Sequence, residues 1–373
     1  MTRIVAMKSY GYEWTNTYGL TADEAARTLA RQGVDWVLVQ NLIDPLPGSA
    51  VDQSPPGPGY DDRRFRDALR AHDIRIFEAT AVFFQPAALR ARPDLRPIDA
   101  TGAPFEQFGW YIGLCPSSLD YLAQRAAVCE EVVSSFQPDG VFLSFIRFPG
   151  FWEMWMPETQ RATIREYCFC ARCTTRFEAE TGNRLPTGHV PVRAAVLQHE
   201  LRDAWTNWKC GLIAGTVAAL RAAAERVRPG IEMMVNCVAL GRSDYENAVM
   251  EVLGQSLEAM SEASDHLELM FYHQILRREP DAWIRSMVAE ARARTPRTIL
   301  ACLQGKADYL DPLYSAGRRR PGILIEEFQT ALDAIAASHA DGVMVYHWKD
   351  FLEDQAVGEG KMTAALRAFK DGR

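Results

Sequence analysis

The 373-residue chain has no apolar run approaching the roughly 18 residues that a membrane-crossing helix requires, so no transmembrane helix is expected. It has no basic tract: 41 Lys and Arg stand against 48 Asp and Glu, a net charge of −7. That argues against general affinity for nucleic acid, where clustered cations displace phosphate counterions. Neither a Gly-x-Gly-x-x-Gly nor a P-loop occurs, and the first apolar segment runs into Gly11-Tyr12-Glu13-Trp14, so no nucleotide cofactor is expected. The seven histidines include no His-x-x-x-His or His-Glu-x-x-His pair, and no Gly-x-Ser-x-Gly elbow is present. The usual catalytic-metal pattern and serine-nucleophile chemistry are therefore not expected. The opening Met1-Thr2-Arg3-Ile4-Val5-Ala6-Met7-Lys8 lacks the apolar core of a secretory leader, which predicts a cytoplasmic protein.

What is present is 48% hydrophobic and 24% charged residues, an ordinary globular balance with enough apolar surface for a core. The length fits two or three domains, or one α/β barrel with insertions. Apolar, β-branched runs alternate with 3.6-period helical patterns along the whole chain. The runs are Ile4–Tyr10, Trp36–Asn41, Ile74–Phe84, Gly140–Phe148, Ile231–Val238, Leu267–His273, Thr298–Gln304 and Gly342–Trp348. Helices are predicted over Thr21–Gln32, opened by a Thr21/Glu24 capping box, and over Asp61–His72, Ser118–Phe136 and Val196–Val227. Four more are predicted over Tyr245–Ser264, Asp281–Thr295, Leu324–His339 and Lys361–Phe369. Eight such units favour a closed (β/α)8 TIM barrel over a doubly wound sheet, read as one domain spanning 1–373. Short joints such as Asp139-Gly140-Val141 and Asp341-Gly342-Val343 feed the strands. Long insertions follow strands three and four, at about 85–115 and 149–195. Loops after strands line the C-terminal mouth of a barrel, so elaboration there points to a built-up pocket.

Five of the eight cysteines sit in apolar or helical context and read as small buried hydrophobes. The cluster Cys168-x-Cys170-x2-Cys173 differs, because three thiolates on a short loop suit a tetrahedral Zn2+. Cys115, in the loop after strand three, is the best fourth ligand. Such a closed site is scaffolding and leaves no open position for substrate. A redox pair, a vacant site and plain surface thiols are the alternatives.

This cysteine motif followed by Phe177, after a fourth-strand segment, resembles the family 42 β-galactosidases and the related hypothetical glycosyl hydrolase barrels. Similar stretches are Trp110-Tyr111-Ile112-Gly113-Leu114-Cys115-Pro116, Asp139–Pro149, Leu269–His273 and Gly342–Trp348. The resemblance implies a zinc site completed by an upstream cysteine, for which Cys115 fits, and a carbohydrate substrate. The chain departs from the pattern at Ser144, where many relatives carry Asp, and at Leu303-Gln304-Gly305-Lys306, where strand seven ends without Glu. The family's carboxylate pair therefore does not transfer position by position.

Glycoside hydrolysis uses two carboxyl groups, one protonated and one ionised. Glu153, among Phe151, Trp152 and Trp155, is the leading candidate, since aromatic surroundings raise a carboxyl pKa by desolvation. Glu268 is flanked by Leu267 and Leu269 on a strand, and if inward-facing needs a partner. Asp350 follows strand eight, with a surface pair to Lys349 as its plain alternative. Asp308 and Asp311 follow strand seven. Arg147, Trp152, Tyr272, His347, Trp348 and Glu13 are candidates to hold substrate, and Lys8 and Asn236 are weaker ones. Glu78 reads as a structural ion pair, and Arg318-Arg319-Arg320 as a solvated loop. The expected activity is that of a glycoside hydrolase on a small soluble glycoside or oligosaccharide. A barrel lyase or isomerase acting on a sugar, or an inactive carbohydrate-binding barrel, is the alternative. Expected partners are the small carbohydrate and, as a homo-oligomer, copies of the chain; neither nucleic acid nor membrane is expected.

Overall fold

The computed structural model describes residues 3–47, 54–306, 319 and 322–372. Eight parallel strands pair in chain order: β1 (Ile4–Ser9), β2 (Trp36–Val39), β3 (Arg75–Ala81), β4 (Gly140–Ser144), β5 (Glu232–Val238), β6 (His266–Met270), β7 (Thr298–Gln304) and β8 (Gly342–Tyr346). β8 pairs with β1, which closes the barrel as the alternation predicted. Helices after the successive strands include Ala22–Arg31, Asp62–Arg70, Leu119–Phe136, Arg202–Val227, Leu257–Glu262, Pro280–Arg292, Ile325–Ala336 and Lys361–Asp371. The Thr21/Glu24 capping box forms as read, with each side chain bonded to the other residue's backbone N–H. No described helix is long and apolar enough to cross a membrane.

Side chains alternate between lumen and outer layer along each strand. The lumen is filled, not open. Near its N-terminal floor the rings of Trp36, Phe77 and His266 meet at 4.9–5.7 Å. One device ties the floor together four times. Asp35, Asp139, Asp265 and Asp341 each precede an even-numbered strand, and each carboxylate accepts the N–H of an odd-strand residue: Val5, Ile76, Met233 and Ile299, at 2.8–2.9 Å. The same aspartate's N–H returns a bond to that residue's carbonyl. These bonds fix the register in which each pair of strands begins.

At two of these joints the next residue is glycine because nothing larger fits. A Cβ on Gly342 would lie 2.1 Å from the Ile4 carbonyl oxygen, and one on Gly140 would lie 2.4 Å from the Phe77 ring. Gly211, on the exposed side of helix Arg202–Val227, has nothing within 4 Å. Two glycine-to-alanine changes should therefore act in opposite directions. Gly342→Ala is expected to destabilise by about 1–3 kcal/mol through overpacking against backbone. Gly211→Ala should stabilise by up to about 1 kcal/mol through helix propensity. Denaturant midpoints check both, and equal signs would contradict the packing argument.

The structure trims several expected elements. Strands three, four, six and eight end at Ala81, Ser144, Met270 and Tyr346, two to four residues earlier than their apolar runs. Past β4 the chain turns at Phe145, whose φ is +52°, and past β6 it enters the short helix His273–Leu276. The helix expected over 245–264 is two short ones, Ala248–Glu251 and Leu257–Glu262. Between them Gln255 turns inward; its amide bonds Val238 N, Asn236 O and Ile146 O. Satisfying those buried loop groups outweighs helix continuity. The helix expected over 196–227 begins only at Arg202, after a separate helix Val190–Gln198. Glu78 points outward from β3 into a buried pair with Arg66 (2.5 Å), as the structural reading had it.

Candidate functional site

Lumen-facing residues from five strands converge below the C-terminal mouth. Lys8 of β1 donates to Glu268 of β6 at 2.6 Å, and Asn236 of β5 donates to the other Glu268 oxygen at 3.0 Å. Glu268 lies one inward-facing position before the strand end and has no solvent exposure. The Lys8 ammonium sits 5.0–5.9 Å from the rings of Phe142, Tyr346 and Tyr10. Burial works against its charge, yet its pKa is held above the ordinary value by Cys302 and Glu268. At neutral pH the carboxylate supplies that effect, because burial keeps the Cys302 thiol protonated.

An aromatic chain covers this ion pair. Trp152, from the loop after β4, stands 5.9 Å from Tyr272, which stands 6.0 Å from Tyr346, which stands 6.2 Å from Tyr10. Burial pushes the Tyr10 and Tyr272 hydroxyls well above their usual range, so both are protonated donors at neutral pH. Tyr272 OH lies 3.8 Å from the Cys302 sulfur. Several buried polar atoms have no hydrogen-bond partner among the described residues: Tyr10 OH, Gln304 Oε1 and both ring nitrogens of His347 around this wall, and Arg147 Nε beside Tyr111 and Phe145. Arg147 lies over the rings of Tyr111 and Phe145, 5.6 and 5.1 Å from their centres. Tyr111 is also within the field of Glu153. Glu153 itself is half-buried in the short turn Trp152–Met154, and its carbonyl accepts from Arg319.

Burial, with Lys349 and Lys8 adding repulsion, lowers the His347 pKa to about 3. Its ordinary value is about 6.5, so the unfolded chain takes up a proton there between pH 6.5 and 3 that the native site refuses. This stability is complete above pH 6.5 and is lost as the pH falls, by about 1.4 kcal/mol per unit. His347→Gln should flatten the acid limb of a plot of unfolding free energy against pH by that slope. An unchanged limb would mean that the imidazole is charged in the native state.

A second cluster ties the two insertions together. The sulfurs of Cys115, Cys168, Cys170 and Cys173 all lie within 4.8 Å of one another, with Cys115 at 3.7 Å from Cys170 and 3.4 Å from Cys173. Cys170 caps the helix Ala171–Thr181 and Cys173 sits in its first turn, so the helix presents both on one side. Ile98 N donates to the Cys168 sulfur at 3.3 Å, and Ser117 Oγ lies 3.1 Å from the sulfurs of Cys115 and Cys173. The Cys115, Cys168 and Cys173 thiols hold the Cys170 thiol far below its usual range, while burial pushes Cys168 and Cys173 up. This donor set could hold one metal ion tetrahedrally.

Solved structures that share this fold include glycoside hydrolases. The PgaB (BpsB) glycoside hydrolase domain from Bordetella bronchiseptica superposes with a TM-score of 0.71 at 14% identity, over 99% of each chain. The catalytic domain of β-amylase from Paenibacillus polymyxa gives 0.64 at 11% identity, over 99% of this chain and 97% of that one. A GH42 β-galactosidase from G. stearothermophilus gives 0.66 at 11% identity, over 99% of this chain and 57% of that one. At such identities the likeness is one of fold. No protein-family profile matches the sequence, and no curated protein matches it.

The residues singled out from the sequence fall into two groups. Glu268, Trp152 and Tyr272 meet in the mouth with His347, whose ring centre is 4.9 Å from that of Tyr346. Arg147 and Glu153 share the neighbourhood of Tyr111. Three others stand apart from that wall. Trp348 is buried and donates to Gln32 at 3.0 Å. Asp350 accepts from the backbone N–H groups of Lys306 (2.9 Å) and His347 (3.4 Å), joining the ends of β7 and β8. Glu13 is buried in the short helix Glu13–Asn16, where its carboxylate fills the space left by the absent Gly11 side chain. Asp308 and Asp311 lie outside the described residues, as do Arg318 and Arg320; Arg319 is buried against the Trp152–Met154 turn and not solvated. Tyr10, Cys302 and Gln304 were not singled out. Strand parity would have found them, since each shares the lumen-facing register of Lys8 or of Leu300.

Proposed function

We propose that this chain is a carbohydrate-active hydrolase of the glycosidase type, with its sugar site at the C-terminal mouth. The reading rests on the unpartnered buried polar atoms of Tyr10, Gln304 and His347 around one aromatic wall. Buried polar atoms are nearly always hydrogen-bonded, so these have capacity for the polar groups of a ligand. A sugar offers hydroxyls to them and apolar ring faces to Trp152, Tyr272 and Tyr346. Glu153, in its aromatic turn, is the proton donor to the leaving oxygen. Glu268, ion-paired with Lys8, opposes the positive charge that develops at the anomeric carbon. Arg147, Trp152, Tyr272 and His347 hold the sugar. Glu13, Trp348 and Asp350 act at one remove, fixing the chain at the ends of β1, β7 and β8.

The four cysteines hold zinc in this reading. Bonds of about 2.3 Å in a tetrahedron set neighbouring sulfurs about 3.8 Å apart; the 3.7 Å separation matches and the 3.4 Å one is tighter. The ion serves as scaffold and takes no part in the chemistry.

A second reading is favoured by the complete burial of Glu268 beside Lys8 and three tyrosines. Such a site suits proton transfer on a sugar, as in a lyase or isomerase. Reaction of a panel of aryl glycosides and oligosaccharides in heavy-oxygen water separates the two. Hydrolysis places the heavy oxygen on the new reducing end, whereas elimination gives an unsaturated, unlabelled sugar. Absence of any turnover together with absence of any sugar binding would overturn both.

A further inference from the structure

The segment after β4 passes two different spaces. Trp152 packs on Tyr272 in the mouth, whereas its neighbours Phe151, Met154 and Trp155 line a separate groove of about 780 Å3. The facing wall is residues 103–108 of the first insertion, where Phe108 is 39% exposed and its ring stands 4.9 Å from Phe151. Phe105 and Tyr167, 4.9 Å apart, close one end. The two walls belong to the two long insertions, and the four cysteines join them: Cys115 comes from the first and the other three from the second. A bridge between Asp99 and Tyr167 adds a second link.

We infer that this groove is a distal subsite for a neutral oligosaccharide chain that continues out of the mouth, so that the substrate is several sugar units long. The inference rests on the carbohydrate reading of the mouth. Consecutive residues put the groove beside the mouth: Trp152 packs on Tyr272 and Phe151 lines the groove. The groove lining combines aromatic side chains with the hydroxyl oxygens of Thr159 and Thr163 and the amide of Gln107, and a sugar ring has both kinds of surface to offer them. Its charged lining is one acidic side chain, Glu106, and one basic, Arg165, so a polyanion finds no counter-charge. Its volume lies in the range of ligand sites.

The test is calorimetric binding of malto-, cello-, galacto- and chito-oligosaccharides of two to six units to the full chain and to Phe108→Ala and Phe108→Tyr. In at least one series affinity should climb with length. Phe108→Ala should flatten that climb, weakening the longest member roughly three- to tenfold, and Phe108→Tyr should restore it. Turnover of an aryl monoglycoside should be the same in all three. A flat series throughout, or a climb that survives in Phe108→Ala, would overturn the proposal. Aryl turnover without length dependence sinks the groove and leaves the hydrolase reading. Length dependence without turnover sinks the hydrolase reading and leaves the groove.

Discussion

Glu268→Gln is expected to lower stability by about 3–5 kcal/mol, because it strands the Lys8 ammonium in a buried ring of aromatic side chains. Gln keeps the volume and can still accept from Asn236, so the loss reports the missing charge. Lys8→Met should cost a similar amount by stranding the carboxylate. The double variant Lys8→Met/Glu268→Gln removes both charges and should recover most of the loss. A double-mutant cycle in denaturant then yields a coupling of about 2 kcal/mol or more, and strictly additive losses would dismiss the pair as a stability element. The same three proteins separate structure from chemistry. Where Glu268 opposes charge in the transition state, the restabilised double variant stays inactive, with kcat down by about 10^2–10^4-fold. Recovery of activity together with stability would assign Glu268 a purely structural role.

The second large effect concerns the four cysteines. The purified chain is expected to carry one zinc per molecule by elemental analysis, and Cys173→Ser, which removes a buried ligand beside Cys115, should abolish it. Metal that binds only the folded state stabilises by mass action, about 4 kcal/mol at a thousandfold excess over its dissociation constant. A chelator should therefore lower the melting temperature by several degrees. The loss should centre on the insertions, which the cluster joins, and spare the barrel, whose strands are tied by their own ladder and the four aspartates. Hydrogen exchange can locate it. Protection lost at 95–115 and 165–181 but kept in β1–β8 is the expected pattern. A chain that holds no metal, or that is unmoved by chelation, would leave the cluster as four buried thiols. If the groove between the insertions binds sugar, metal removal should also weaken long oligosaccharides more than short ones.

The sequence by itself determined the barrel. Eight apolar runs alternating with amphipathic helices favour a closed parallel barrel over a doubly wound sheet, and the strand starts fall within a residue or so of the pattern. The core of the cysteine cluster was legible as well, since three thiols within six residues leave little freedom; that Cys115 reaches them took the fold. The two aspartate-glycine joints were visible as a motif, though the hydrogen-bonding role they share with Asp35 and Asp265 needed the register of neighbouring strands.

The tertiary structure alone decided the mouth. Lys8 and Glu268 are 260 positions apart, and each looks on its own like a stray charge in an apolar run. Barrel closure brings β1 and β6 to opposite sides of one lumen, and the low-dielectric interior then forces the two charges to pair. The same closure gives Asp350 and Trp348 their polar partners, backbone N–H groups for the one and Gln32 for the other. Which side chain faces the lumen follows from parity and can be read along one strand. Which side chains meet across it depends on strand order and stagger, and these are properties of the closed sheet.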